Sequence, residues 1–247
     1  MTPRVSIVVP AYNEGHQIVT TVQRLLDSIT EDCEVLVVYD TPDDSTAPFA
    51  EKLAADDQRV RPTVNTYGRG PAHAIRFGLD HSQAPVAVVT MADGSDDPTQ
   101  VDALVALVER GAVVAAASRY MPGGQQVGGP PLKSLVSRTV GRSLHLLARV
   151  GTRDATNSFK AYSMAFVREV GVDSRLGFEI GIEMVAKARR RRLPVAEIPT
   201  IWMDRSEGES NFNLRKFAPG YIAWYRFAFG RRLAADQMAA HVPRLEG

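Results

Sequence analysis

Residues 88–98 read VVTMADGSDDP: apolar and small residues run directly into a knot of carboxylates at Asp93, Asp96 and Asp97. An apolar run that stops abruptly at polar groups is the mark of a strand buried on both faces, with a ligand site beyond its carboxyl end. The same grammar recurs at residues 4–10 (RVSIVVP), 33–40 (CEVLVVYD), 59–65 (RVRPTVN) and 112–118 (AVVAAAS), all short and rich in valine or alanine. Between these runs the period changes to that of a helix. Ile18, Val22, Leu25, Leu26 and Ile29 repeat near 3.6, as do Val101, Leu104, Val105 and Val108. Asp97 before Pro98 predicts an N-cap followed by proline at the first helical position. Strand, helix, strand repeated four times predicts an α/β fold, a single Rossmann-like domain with a central, mostly parallel sheet flanked by helices.

The chain of 247 residues is 45% hydrophobic and 23% charged, enough apolar material for a sizeable core. Its net charge of +1 gives no global field to attract nucleic acid, and none is expected as a partner. Cys33 is the only cysteine, which excludes an internal disulfide and fits a reducing compartment. No secretory signal and no bilayer-length apolar window is evident, so the expectation is a cytoplasmic protein, soluble or peripheral at the inner face of the membrane.

After Ser118 the pattern changes. Residues 121–131 (MPGGQQVGGPP) predict a loop, and helices are expected over 132–150, 176–191 and 217–229. The expected organisation is one domain over 1–247: a nucleotide-type half over 1–118, a second half over 119–230 forming the other wall of a cleft, and a tail over 231–247. On the 132–150 helix, Arg138, Arg142, His145 and Arg149 form a basic stripe opposite Leu135, Val136, Leu144 and Leu147. Such a stripe suits solvent or anionic lipid headgroups. The run 188–192 (ARRRR) is explained by the favourable placement of cations at a helix C-terminus. Phe217, Tyr221, Trp224 and Tyr225 form an aromatic stripe that suits packing against the sheet or an interfacial anchor.

In an open parallel sheet the polar groups that follow the strands share one edge, so Asp40 and Asp93 come together although 53 positions separate them. Asp43, Asp44 and Asp97 read as turn or cap residues. Asp93, directly after a buried strand, reads as a ligand for a hard divalent cation shared with phosphate oxygens.

IVVPAYNE, VVYDTPDDST, GRGPAHAIRFGL and TMADGSDDP, in that order, resemble the nucleotide-sugar half of family-2 inverting glycosyltransferases with the GT-A fold. ASRYMPGG, RDATNSFKAY, GFEIGIEMVAKARRRR and IPTIWMDRSEGES are similar to the dolichol- or polyprenyl-phosphate mannose synthase branch. The resemblance spans residues 4–229. It implies donor contacts at Pro10, Ala11, Tyr12, Glu14, Asp40, Gly68, Arg69, Ala92, Asp93 and Arg205, with Asp40 on the base. It implies a magnesium or manganese site at Asp93 with Ser95 and Asp96, although Met91 stands where the family's metal motif has its first acid. It implies an acceptor clamp at Arg119, Arg138 and Lys160, and a catalytic acid, Asp154, near acceptor and sugar. Asn211 stands where the family has a phosphate-binding lysine, Arg215 and Lys216 being candidates to replace it, and Tyr39 replaces an acid common beside Asp40.

Three functions fit these residues. One is transfer of a sugar from a nucleotide diphosphate (GDP-mannose-like or a UDP-sugar) to polyprenyl phosphate. A second keeps the donor but uses a soluble saccharide or natural-product acceptor, with Asp154 as base. A third is a catalytically silent sugar-nucleotide binding protein.

Overall fold

The computed structural model describes residues 2–204 and 214–243. Arg205 and Asn211 lie outside the described residues, as do the side chains of Arg215 and Lys216. The first half alternates as expected: β1 (Val5–Pro10), α1 (Gln17–Ser28), β2 (Cys33–Tyr39), α2 (Ala47–Asp56), β3 (Val60–Val64), α3 (Pro71–Asp80), β4 (Val86–Val89), α4 (Val101–Glu109) and β5 (Val114–Ser118). β1, β2, β4 and β5 are buried along their whole length, which is why they carry continuous rather than alternating apolar runs.

A seven-stranded sheet has the order β3-β2-β1-β4-β7-β5-β8. β7 (Lys160–Ser163) runs antiparallel to both β4 and β5, and β8 (Val195–Pro199) parallel to β5. β6 (Gln125–Val127) pairs in parallel with β9 (Ile201–Met203), so the expected loop over 121–131 contains a strand. Helices cover the sheet on both faces, with an apolar core beneath each.

The helix expected over 132–150 is α5 (Pro131–Ser143), followed by a π-helical turn at Leu144–Ala148 and a left-handed Arg149. That extra-wide turn breaks the 3.6 register used to lay out its stripes. The face packed inward is Val140, Gly141, Leu144 and Ala148, whereas Leu135, Val136 and Leu147 are exposed together with Arg138 and Arg142. Thus the expected apolar side points outward except at Leu144.

After α6 (Met164–Val170), α7 begins at Ile180 and ends at Arg191, later than expected. The preceding residues are held as a loop by carboxylates from the helix itself. Glu183 accepts from the Asp173 (2.7 Å) and Ser174 (2.9 Å) amides, and Glu179 from that of Leu176 (2.8 Å). α8 (Leu214–Ala228) buries Phe217, Trp224 and Phe227 and lies against α7, so its aromatic stripe is packing. The expected tail contains α9 (Ala235–His241), anchored by buried Leu233 and Met238. Among the described residues no helix is long and apolar enough to cross a membrane.

Candidate active site at the carboxyl edge of the sheet

The loops after β1, β2, β3 and β4 meet at one edge, as parallel strands require. The Ala11 amide donates to the Val38 carbonyl (2.8 Å), continuing the β1–β2 ladder past buried Pro10 and leaving Tyr12 57% exposed above it. Asn13, at φ 55°, takes the left-handed conformation that asparagine tolerates. The buried Asp44 carboxylate fixes this turn by accepting the Asn13 amide (3.1 Å), while the Glu14 amide donates to Thr46 Oγ1 (3.1 Å). Asp44 is therefore the turn residue its position suggested, and it pins the loop after β1 to the loop after β2.

Asp40 does the same one strand further on. Its Oδ1 accepts from Asn65 Nδ2 (2.9 Å) and its Oδ2 from the Gly70 amide (2.8 Å); Asn65 Nδ2 also donates to the Gly68 carbonyl (2.6 Å). Gly68 and Gly70 have φ of 125° and 111°, a region closed to other residues, so Arg69 is presented on an exposed turn. A base contact at Asp40 would use the remaining lone pairs of its oxygens.

Beyond β4 the three acids separate in role. Asp97 Oδ1 accepts from the amide (3.1 Å) and hydroxyl (2.7 Å) of Thr99, capping the turn before α4 as expected. Asp96 is buried, with Oδ2 accepting from Thr90 Oγ1 (3.0 Å) and the Met91 amide (3.1 Å). Burial pushes its carboxyl up to about 6, aided by the charge of Asp93 and opposed by those two bonds and by Arg119. Asp93 is half-exposed, and its Oδ1 accepts the Ser95 amide (3.1 Å). Ala92 is buried, its carbonyl accepting from Thr21 Oγ1 (2.8 Å). Among the described residues no three acids, histidines or cysteines cluster as a metal cage.

The opposite wall starts where β5 ends. Arg119 meets Asp154 in a two-pronged pair: Nε donates to Oδ2 (2.7 Å) and Nη2 to Oδ1 (2.9 Å), and the Arg119 amide adds a bond to Oδ2 (3.0 Å). The Asn157 amide donates to Oδ1 (3.3 Å). Burial opposes the charge of Asp154, but Arg119 outweighs it, with Lys160 contributing, and the carboxyl lies below its ordinary value. The adjacent Arg153 pairs with Glu197 instead.

Two expectations for this wall change. Lys160 is 0% exposed and its Nζ donates to the carbonyls of Asp154 (3.2 Å), Ala155 (3.3 Å) and Asn157, so it cannot touch an acceptor and holds the Asp154 loop from behind. Burial lowers its ammonium to about 7, against the pull of Asp154. Asp154 is itself fully buried, and its carboxylate already accepts three bonds from Arg119 and one from Asn157, an arrangement suited to positioning. Arg138 does face outward, its guanidinium 5.3 Å from the Tyr120 ring; that of Arg119 lies 4.9 Å from the same ring and 5.9 Å from Trp202. Ser137 Oγ, on α5, accepts from Arg119 Nη2 (3.3 Å) and shares a 2.6 Å bond with the Thr156 hydroxyl. Gly141 lets α5 lie this close, since a Cβ there would stand 2.1 Å from the Arg153 carbonyl oxygen.

The two walls touch through β8 and β9. The Met203 amide donates to the Ser95 carbonyl (3.2 Å), and Gln100 Nε2 to that of Pro199 (2.8 Å). Sequence reasoning missed Asn65, Tyr120, Ser137 and Trp202. Asn65 had a legible signal, standing at the carboxyl end of a strand, whereas Trp202 arrives only through the β6–β9 pairing.

The model of glycosyl transferase family 2 matches residues 6–171. The chain is 30% identical over 216 residues to undecaprenyl-phosphate mannosyltransferase of Micrococcus luteus, covering 85% of this chain and 88% of that protein. It is also 30% identical to polyprenol monophosphomannose synthase of Mycolicibacterium smegmatis, covering 86% and 82%. Among solved structures, glucosyl-3-phosphoglycerate synthase of Mycobacterium tuberculosis, crystallised with Mn2+, uridine diphosphate and glucosyl-3-phosphoglycerate, superposes with a TM-score of 0.67 at 17% identity, covering 93% of this chain and 81% of that one. The matched residues include the donor edge and the Arg119–Asp154 wall: the chain belongs to glycosyl transferase family 2 and is a glycosyltransferase with the GT-A fold.

Proposed function

We propose that the protein transfers a mannosyl group from a nucleoside diphosphate mannose to polyprenyl phosphate, with inversion. An acceptor phosphate oxygen forms the new bond to the anomeric carbon as the bond to the nucleoside diphosphate breaks. The observation that carries this reading is the state of Asp154. A hydroxyl acceptor needs a base, and this carboxylate is filled by Arg119 and Asn157. A phosphate acceptor is already ionised and needs cations to orient it, which Arg138 supplies on the ledge formed by Tyr120. The relatives named for undecaprenyl phosphate and polyprenol support the same acceptor.

On the donor side Tyr12, Glu14, Asp40, Gly68 and Arg69 would hold the nucleoside, with Pro10 and Ala11 shaping the floor. Asp93 and Asp96, with Ser95, are the groups that would hold a divalent cation, whose chemistry is to neutralise charge on the departing diphosphate. Two carboxylates suffice where the substrate's phosphates and water complete the set. The exposed face of α5 and the π-helical turn after it, which joins Leu132, Leu135, Val136, Leu146 and Leu147 to Arg138 and Arg142, suits peripheral contact with an anionic membrane.

The test is a transfer assay with labelled GDP-mannose and UDP-sugars, offering a short-chain polyprenyl phosphate or a soluble saccharide, with magnesium, manganese or chelator. We expect a lipid-linked mannosyl product, lost about 10²–10³-fold in Asp93→Asn. Product on the saccharide alone would overturn the acceptor assignment, and unchanged turnover in Asp93→Asn would remove Asp93 from the site. Co-sedimentation with anionic vesicles should fall when Leu135 and Leu147 are both replaced by glutamate.

A further inference from the structure

At the opposite edge of the sheet, below the amino end of β8, an open cleft of about 640 Å3 is lined by Arg149, Arg189, Arg192, Arg231 and Arg232 with Ala148 and Leu193. Among the described residues no acidic side chain lines it. The five arginines arrive from three separate segments: the end of the π-helical turn, the end of α7, and the stretch between α8 and α9. The favourable field of a helix C-terminus accounts for Arg189, Arg190 and Arg191, whose guanidiniums are spent on local partners. Arg189 donates to the carbonyls of Ala148 (2.8 Å) and Gly230 (3.1 Å), Arg190 to that of Arg231 (2.8 Å), and Arg191 to Glu169 (2.9 Å). It reaches Arg149 and Arg192, which cap the π-helical turn and α7, but not Arg231 and Arg232, which lie between α8 and α9. Among the described residues, the side chains of Arg149, Arg192, Arg231 and Arg232 make no ion pair or hydrogen bond.

Like charges gathered without counter-charges repel, so the arrangement is paid for in conformational energy as well as in charge. Arg149 and Arg192 both stand in the left-handed region, at φ 59° and 57°, where a helix normally ends in glycine or asparagine. Apart from Asn13 they are the only non-glycine residues so placed among the described residues, and both turn an arginine into this one cleft. Guanidiniums present planar forks that match phosphate oxygens two at a time. Immediately beside Arg149, Leu146 and Leu147 are each 69% exposed.

We propose that this cleft is an anion site for clustered phosphate groups, separate from the donor edge, taking either a soluble oligophosphate or the phosphates of anionic lipid headgroups. It stands on its own residues and does not depend on the acceptor assigned above.

The test compares wild type with Arg231→Gln/Arg232→Gln, whose altered side chains have no intramolecular partner to lose, and with Arg192→Asn, which removes a charge while suiting the left-handed backbone. Binding is measured calorimetrically to inorganic pyrophosphate in chelator, and by co-sedimentation with phosphatidylglycerol–phosphatidylcholine vesicles. The expected result is at least a tenfold loss of affinity for one or both probes in each variant, with circular dichroism and melting unchanged. Loss with pyrophosphate alone assigns a soluble ligand, and loss with vesicles, alone or as well, assigns the headgroup. Affinities for both probes equal to wild type in the two variants would overturn the proposal, even where transfer activity is normal.

Discussion

Asp96→Asn is expected to make the ligand-free protein more stable at pH 7 and nearly inactive. The carboxyl of Asp96 is raised in the folded state from 3.8 to about 6, chiefly by burial. A carboxyl raised in this way favours folding in full only below 3.8, and the benefit is lost as pH rises through 6. At 1.36 kcal/mol per pH unit the loss is about 3 kcal/mol at neutrality. Asparagine presents the same carbonyl oxygen to Thr90 and to the Met91 amide without a buried charge. The variant should therefore match wild type near pH 3.5 and gain steadily to pH 7, where its melting midpoint stands about 5–10 °C higher. Turnover should fall about 10²–10³-fold, because a neutral amide cannot replace a carboxylate beside a diphosphate and its cation. A variant that melts lower than wild type at pH 7 would show that the negative charge is itself structural.

The second large effect has the opposite sign. In Asp154→Asn the guanidinium of Arg119, 12% exposed at its side chain, loses its counter-charge, and Lys160 loses the anion that offsets its burial. Removing one partner of a buried pair costs roughly 3–5 kcal/mol. Chemical denaturation should register a loss in that range, and Arg119→Met/Asp154→Asn should recover part of it, the interaction energy of a double-mutant cycle. Donor affinity should be nearly unchanged, since the donor edge is anchored by Asp40 and Asp44. A loss below about 1 kcal/mol together with abolished turnover would restore Asp154 to a chemical role.

The valine runs announced β1, β2, β4 and β5 because strands buried on both faces have no polar alternation to blur them. β7 escaped notice because it is four residues long and begins with lysine, a residue whose burial requires carbonyls that only the folded 154–157 loop supplies. β6 and β9 are three residues each, too short to show a period. The donor edge was legible because its residues follow their strands directly. Asp97 was legible too, since an acid before proline caps whatever follows. The acceptor wall was not. Arg119 pairs with an acid 35 positions away, while the adjacent Arg153 turns to Glu197. No local rule distinguishes these two arginines; the difference comes from the antiparallel return of β7.

That return also dictates an order of assembly. β7 separates β4 from β5 in the sheet, yet it is made last of the three. While residues 160–163 are still within the ribosome, β4 and β5 each present a row of unpaired amides and carbonyls to any passing strand. A chain halted near residue 118 thus leaves β4 bare on one edge and β5 on both instead of a finished half-domain. It is expected to be a chaperone client and prone to aggregate, whereas a chain extended past residue 163 can bridge β4 and β5, leaving only β8 to complete the sheet.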